Sequence, residues 1–395
     1  MERNDDKSTV QLPIHGEASL YSGFTYPFHK IRQFRKEEPE AYMTVGSLLK
    51  DESFSASKRV LVRENRFGFV PVLLAIEKPD TQFIISSWMA DRRDIFRKNA
   101  ESNLVENRVN CITEGLYSQD GVSYDTAVLI HEQHQNPNLL VYEAARVISR
   151  ESCSVLFFAT HKKKGGVSVS ERIAQELGLE TFWSKKGVGG AMIVKFVKKQ
   201  PLLKPEIPIS SFDYEPKKDV QIKFETTPSL FSTENIDLGT SFLIHNILTD
   251  TDPNEPISVY DVACGYGAIG LSLAACLNNA HVVMSDADAR ATDMAQRNIN
   301  SMNLGANVSV LLRDGAKEIE DIFDLVVSNP PLHIDKPKLL EVIKGANRRV
   351  KKGGKMVLVV EDSRAGGFKE LLKQYIGFVS ERAKISSHSI LEIVK

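Results

Sequence analysis

What this chain has little of narrows the reading first. Its 395 residues hold four cysteines, Cys111, Cys153, Cys264 and Cys276, with no C-x-x-C pair and no zinc-ligand spacing. That argues against a disulfide scaffold or a zinc module, and no metal is expected; reduced thiols in a cytoplasmic protein fit better. The net charge is only −1, so no overall basic field marks a nucleic-acid partner. Phosphate binding, however, depends on where charges sit rather than on their sum. No apolar run approaches the ~20 residues of a membrane helix, and the opening MERNDDKSTVQLP lacks the apolar centre of a signal peptide. With 42% apolar and 26% charged residues, a soluble, cytoplasmic globular protein is expected. The length suits two domains of roughly 150 to 200 residues each.

What is present is a pattern stated twice. Residues 200–219, QPLLKPEIPISSFDYEPKKD, are rich in proline and charge, and read as a linker. On either side similar stretches recur: RVLVRENRFGFVPVLLA (59–75) and VYDVACGYGAIGLSLAA (259–275), YDTAVLI (124–130) and FDLVVSN (323–329). Gly68 and Gly267 lie 267 − 68 = 199 positions apart, and Asp125 and Asp324 the same 324 − 125 = 199. An offset held over several elements argues for duplicated domains. The expected organisation is an extension (1–57), a first domain (58–199), the linker (200–219) and a second domain (220–395).

Each half alternates β-branched apolar runs such as HVVMSD and KMVLVVED with amphipathic stretches such as ATDMAQRNINSMN. The fold class expected is α/β: two tandem Rossmann-like domains, each a mostly parallel sheet with helices on both faces. Ligands of such sheets bind at the carboxyl ends of the strands, where strand order reverses.

Chemistry is concentrated in the second copy. There DVACGYGAIG places Gly265, Gly267 and Gly270 between a strand and a helix, Asp286 ends the next strand, and SNPPLH (328–333) follows another. The first copy has Arg66 and Pro71 in place of two glycines, Ser87 at the acidic position and IHEQH in place of NPPLH. It reads as the same fold without its site, left with a structural or substrate-binding role. The G-x-G-x-x-G alone also fits a nicotinamide dinucleotide or mere close packing. Two features separate the readings. Asp261 is unwelcome beside a pyrophosphate and suits a ligand with a cationic end, and a dehydrogenase has no need of NPPLH. An S-adenosylmethionine site accommodates both, with Gly265 to Gly267 at the amino-acid portion, Asp286 at the ribose hydroxyls and Asp314 at the adenine amine. For Asp314, a helix cap or turn role is the alternative.

VYDVACGYGAIG and SNPPLH resemble the glycine loop and amino-methylation motif of class I S-adenosylmethionine-dependent methyltransferases. The whole chain, from about residue 58, resembles the ribosomal RNA guanine-N2 methyltransferases of the RsmC/RlmG type, which carry two tandem methyltransferase-like domains, the first degenerate. PSLFSTENIDLGTSFLI (228–244) resembles their segment ahead of the glycine loop. The resemblance implies cofactor contacts from Asp261, Cys264, Gly265, Tyr266, Gly267, Asp286, Ala287, Asp314, Gly315 and Asn329, and a catalytic set of Asn329, Pro330, Pro331 and His333. One departure is Leu332, which stands where the family has an aromatic residue that stacks on the target base.

An exocyclic amine is a poor nucleophile because its lone pair is delocalised into the ring. The Asn329 side-chain oxygen and the Pro330 carbonyl are suited to accept its N–H bonds and draw the nitrogen toward tetrahedral geometry. His333 would contact the base or take the released proton, with an ordinary surface turn as the alternative. The RNA partner expected is ribosomal, with transfer RNA (guanine N2 or N7), a DNA adenine or a protein glutamine as alternatives. An NAD-dependent oxidoreductase and a non-catalytic RNA-binding scaffold are the readings outside methylation. Basic clusters at 161–164, 185–186, 217–218 and 348–352 would hold an RNA backbone or form solvated faces.

Overall fold

The computed structural model describes residues 19–20, 29–30, 39–117, 121–131, 135–186, 190–228, 230–332, 334 and 336–395. His333 and most of the first 38 residues lie outside them. The chain forms two compact units. The first takes in Met1–Ser87, Arg92–Glu114 and Ser118–Pro208; the second takes in Trp88–Asp91, Gly115–Tyr117 and Ile209–Lys395.

Besides a two-residue pair, β1 (Ser19–Leu20) with β2 (His29–Lys30), the first unit holds a seven-stranded sheet. Its strands are β3 (Arg59–Arg63), β4 (Gln82–Ser87), β5 (Val109–Thr113), β6 (Thr126–Ile130), β7 (Val155–His161), β8 (Glu180–Lys186) and β9 (Ala191–Val197), in the order β5-β4-β3-β6-β7-β9-β8. The second unit opens with a hairpin of β10 (Ser210–Lys217) and β11 (Val220–Thr226). Its own seven-stranded sheet contains β12 (Ile257–Val262), β13 (Ala280–Asp286), β14 (Val308–Leu312), β15 (Phe323–Ser328), β16 (Val350–Glu361), β17 (Ser380–Lys384) and β18 (His388–Val394). The order is β14-β13-β12-β15-β16-β18-β17, the same permutation as in the first unit.

The duplication extends to register. Leu61 pairs with Ile84 and Ala127, and Tyr260 pairs with Val283 and Val326, each partner shifted by the same 260 − 61 = 199 positions. In both sheets the first five strands in sequence pair in parallel and the last two antiparallel. Parallel neighbours need helical crossovers, which cover both faces and make the central strands continuous apolar runs. Val259, Tyr260, Val262, Leu325, Val326 and Val327 are accordingly buried. Burial of each such side chain contributes about 1.5–3 kcal/mol. Strand order reverses between β12 and β15, so the carboxyl ends of these two strands flank the crevice where such sheets take ligands.

Two expected boundaries are corrected. Residues 210–217 are strand rather than linker, because Phe212 and Tyr214 alternate with polar residues and meet Phe224 of β11. The outward charges hid that period. Within the expected 1–57 extension, residues 39–57 are not separate from the first unit either: Val45, Leu48 and Phe54 are buried in its core cluster with Val60 and Phe157. Asp51 also caps the helix Glu52–Ala56 and pairs with the buried Lys195 at 3.1 Å. Among the described residues no helix is long and apolar enough to cross a membrane.

Candidate active site

The site is built at the carboxyl ends of β12, β13 and β15 in the second unit. Leaving β12, the chain turns sharply: Ala263 has φ 59° and Gly265 φ 58°, both left-handed, before Gly267 caps the helix Ala268–Cys276. A non-glycine residue held in that region costs roughly 1–2 kcal/mol, a local strain stored beside the loop. Nothing lies within 4 Å of where a Cβ on Gly265 would project, so this backbone faces open space. Gly270 differs, since a Cβ there would sit 2.6 Å from Met284 Sδ and 3.2 Å from Asp261 Oδ2. It lets the helix approach the sheet. The glycine motif thus mixes a ligand-facing position with a packing one.

Two carboxylates hold the loop. Asp286, ending β13, accepts from the Gly265 N–H at 2.9 Å with one oxygen and from the Asp288 N–H at 2.9 Å with the other. Asp261 is fully buried; its Oδ2 accepts from the Gly270 N–H at 2.9 Å, and its Oδ1 finds no partner within the protein. Desolvation pushes Asp261 up to about 7, against the pull of the Gly270 N–H and with a further push from Asp286. Desolvation likewise raises Asp286 to about 6. A buried carboxylate oxygen without a donor destabilises the ionised form unless a donor or cation arrives.

Asn329 follows β15 and is half-buried. Its Nδ2 donates to Thr240 Oγ1 at 3.0 Å, which directs the amide oxygen away from that contact. The preceding Ser328 donates to the Val262 carbonyl at 2.6 Å, tying the ends of the two central strands together. Pro330 is buried and Pro331 half-buried, and the Ile334 N–H donates to the Pro331 carbonyl at 3.2 Å. Leu332 packs with Ile334 against the core cluster of this unit, so the position offers no aromatic face.

The remaining expected residues are distributed unevenly. Cys264 is buried, and desolvation pushes its thiol well above the ordinary range, leaving it an inert packing group. The Tyr266 ring packs edge-on against Phe212 and Phe224 of the hairpin. Ala287 accepts from the Ala90 N–H at 2.8 Å within the same unit. Asp314 is ion-paired rather than free: Lys317 Nζ lies 2.5 Å away and Lys338 Nζ is also bonded to it. Although burial pushes Asp314 up, these two lysines outweigh it and hold the carboxyl below its usual value. Gly315 accepts from Tyr260 Oη at 3.1 Å and packs close to Val342.

Sequence reasoning missed Thr240 and Asn298. Asn298 is fully buried, and its amide donates to the carbonyls of Tyr266 at 3.0 Å and Glu225 at 2.9 Å, fastening the glycine loop to β11. A signal for it existed in the repeat. Asn99, 298 − 99 = 199 positions earlier, is also fully buried and donates to the Phe67 carbonyl at 2.7 Å.

The first unit shows what removing a site entails. Glu64 places Oε1 on the N–H groups of Phe67, at 3.3 Å, and Gly68, at 3.0 Å, filling the anion-attracting end of the loop with its own carboxylate. Ser87, where the second unit has Asp286, donates to Asn65 at 2.7 Å. A buried Arg63 pairs with Glu143 at 2.8 Å and Glu114 at 2.5 Å. The pseudo-site is thus occupied by its own side chains.

Strand order 3-2-1-4-5-7-6, a glycine loop after the first strand and an acidic end to the second define a class I methyltransferase fold. Residues 221–392 match the methyltransferase small domain family. That match lies within the second unit. Among relatives, the ribosomal RNA small subunit methyltransferase C of Haemophilus influenzae is 28% identical over 196 residues, covering 47% of this chain and 57% of that protein. The ribosomal RNA large subunit methyltransferase G of Colwellia psychrerythraea is 23% identical and covers 77% of this chain and 79% of that protein. The chain spans little more than half the length of the small-subunit relatives it matches. A solved structure, the Thermus thermophilus 16S rRNA N2 G1207 methyltransferase in complex with AdoMet and guanosine, superimposes with a TM-score of 0.73 at 20% identity, covering 97% of this chain and 98% of that one. At that identity the likeness establishes the fold.

Proposed function

We propose that this chain is an S-adenosylmethionine-dependent methyltransferase acting on the exocyclic N2 amine of guanine in RNA, with ribosomal RNA as its substrate. The observation that carries the reading is the position of Asn329-Pro330-Pro331 at the switch point. It follows the strand beside the one that opens into the glycine loop, with its amide nitrogen anchored on Thr240. Relatives named as ribosomal RNA methyltransferases of both subunits, and a fold shared with a structure bound to AdoMet and guanosine, support it.

In this reading the open Gly265 backbone and the buried Asp261 hold the amino-acid end of the cofactor, and Asp286 takes its ribose. When bound, the cofactor supplies an electrophilic methyl group on a cationic sulfur. The protein's part is positioning. The Asn329 amide oxygen and the Pro330 carbonyl accept hydrogen bonds from the two amine N–H groups and turn the nitrogen lone pair toward the methyl carbon. The methylated amine is acidic and needs no strong base to release its proton. The base must be unstacked to reach such a pocket.

The test is methyl transfer from labelled cofactor to RNA isolated from cells lacking the gene, followed by nucleoside mass spectrometry. N2-methylguanosine is expected; label in N7-methylguanosine, methyladenosine or protein would redirect the assignment.

A further inference from the structure

Asn329 sits behind a strand and ahead of two prolines, so its backbone is fixed, but its half-buried side chain retains two rotatable bonds. Something must remove that freedom if the amide oxygen is to be preorganised. Among the described contacts, the Asn329 side chain makes one side-chain hydrogen bond within the protein, to Thr240 Oγ1 at 3.0 Å. Thr240 is buried and lies in the first turn of the helix Leu238–Thr249.

That turn is fixed from two other directions. Asp237 caps it, its carboxylate accepting from the Thr240 N–H at 3.1 Å while its carbonyl accepts from the Ser241 N–H at 2.9 Å. Gly239 is pressed against His388, whose Cδ2 would lie 2.6 Å from a Cβ there. The turn cannot follow a wandering Asn329, so the hydroxyl acts as a stationary anchor.

We propose, resting on the methyl-transfer reading above, that Thr240 is a positioning residue for the reaction: its hydroxyl fixes the Asn329 amide so that the oxygen, not the NH2 group, meets the target amine. It touches neither substrate nor cofactor in this role. Its contribution is felt in the transition state, where the oxygen is needed, and not in binding of the cofactor.

Single-turnover methyl transfer to RNA by the full chain tests this, with cofactor affinity measured in parallel. Thr240→Val keeps the shape and deletes the hydrogen bond. The rate is expected to fall about 10-fold, the effect of losing one neutral hydrogen bond, with cofactor Kd and RNA KM within about 2-fold. Thr240→Ser, which retains the hydroxyl, is expected to restore most of the rate. On an Asn329→Ala background Thr240→Val should cost nothing further, because the group it orients is gone. A normal rate in Thr240→Val overturns the assignment. So does a loss not rescued by serine, or one that adds in full to Asn329→Ala, since either marks a general structural defect. Wild-type protein that transfers no methyl group to guanine overturns the functional reading and this inference together. An active wild type with an indifferent Thr240→Val overturns the inference alone.

Discussion

The Gly265 N–H donates to the Asp286 carboxylate at 2.9 Å, so the glycine loop and the acidic end of β13 form one preassembled corner. The other Asp286 oxygen is engaged by the Asp288 N–H at 2.9 Å. Two backbone donors hold the carboxylate in place before any ligand arrives, and a ribose would meet an acceptor that needs no rearrangement.

S-adenosylmethionine should therefore bind and NAD should not, because the buried Asp261 opposes a pyrophosphate. Calorimetry with both ligands checks this, and tighter binding of NAD would count against the whole assignment. Asp286→Ala should weaken cofactor binding by about 1.5–3 kcal/mol, the range for hydrogen bonds to a charged group.

Only one cofactor should bind per chain. Glu64 already occupies the loop of the first unit, and Ser87 there is bonded to Asn65. Titration of the full chain should give a stoichiometry of about one. Gly265→Asp, which adds a side chain and a charge at a left-handed position, should abolish all of it, whereas Glu64→Gln should leave it unchanged. Residual binding in Gly265→Asp would place a site in the first unit.

Asp261 also predicts a conflict between stability and binding. Its folded pKa is raised to about 7 and that of Asp286 to about 6, so the folded protein holds more protons than the unfolded chain between about pH 4 and 7. Stability in the absence of ligand should fall as pH rises through that window, since the folded state then binds more protons than the unfolded one. Affinity for a ligand with a cationic end should rise over the upper part of the same window. Asp261→Asn should raise the melting temperature at pH 8 by a few degrees, on the order of 2–4 °C per kcal/mol, while weakening cofactor binding. A variant that lost stability at pH 8 would show the carboxylate to be structurally satisfied.

Much of this site was legible because its parts are local. A strand, a glycine loop and a helix start fall within a dozen residues, and Asn329-Pro330-Pro331 is contiguous. The repeat itself gave the two-domain fold, since both sheets keep the 199-position register of Leu61 and Tyr260. What stayed hidden depends on pairing across distance. Thr240 lies 89 residues from Asn329, Asn298 lies 32 from Tyr266, and Lys338 lies 24 from Asp314. Apolar periodicity does not encode such partners, and only Asn298 is marked by the repeat, through Asn99. The hairpin at 210–226 was obscured for another reason: its outward residues are charged, and Pro216 interrupts the pattern at a register shift between Tyr214 and Lys217. The packing of the Tyr266 ring on Phe212 and Phe224 was hidden because a motif gives a residue's position in the loop and not the side its ring faces.

The measurement that bears most directly on the account is single-turnover methyl transfer to RNA by Asn329→Ala, with cofactor affinity measured on the same protein. The side-chain oxygen is required only as the amine nitrogen begins to bond to the methyl carbon, so the loss should appear in kcat and not in binding. A fall of about 100- to 1000-fold is expected, the scale for removing one preorganised electrostatic group, with cofactor Kd changed by less than about 2-fold. Near-normal turnover in Asn329→Ala would contradict the account, leaving SNPPLH a rigid turn at a strand end with the chemistry carried elsewhere.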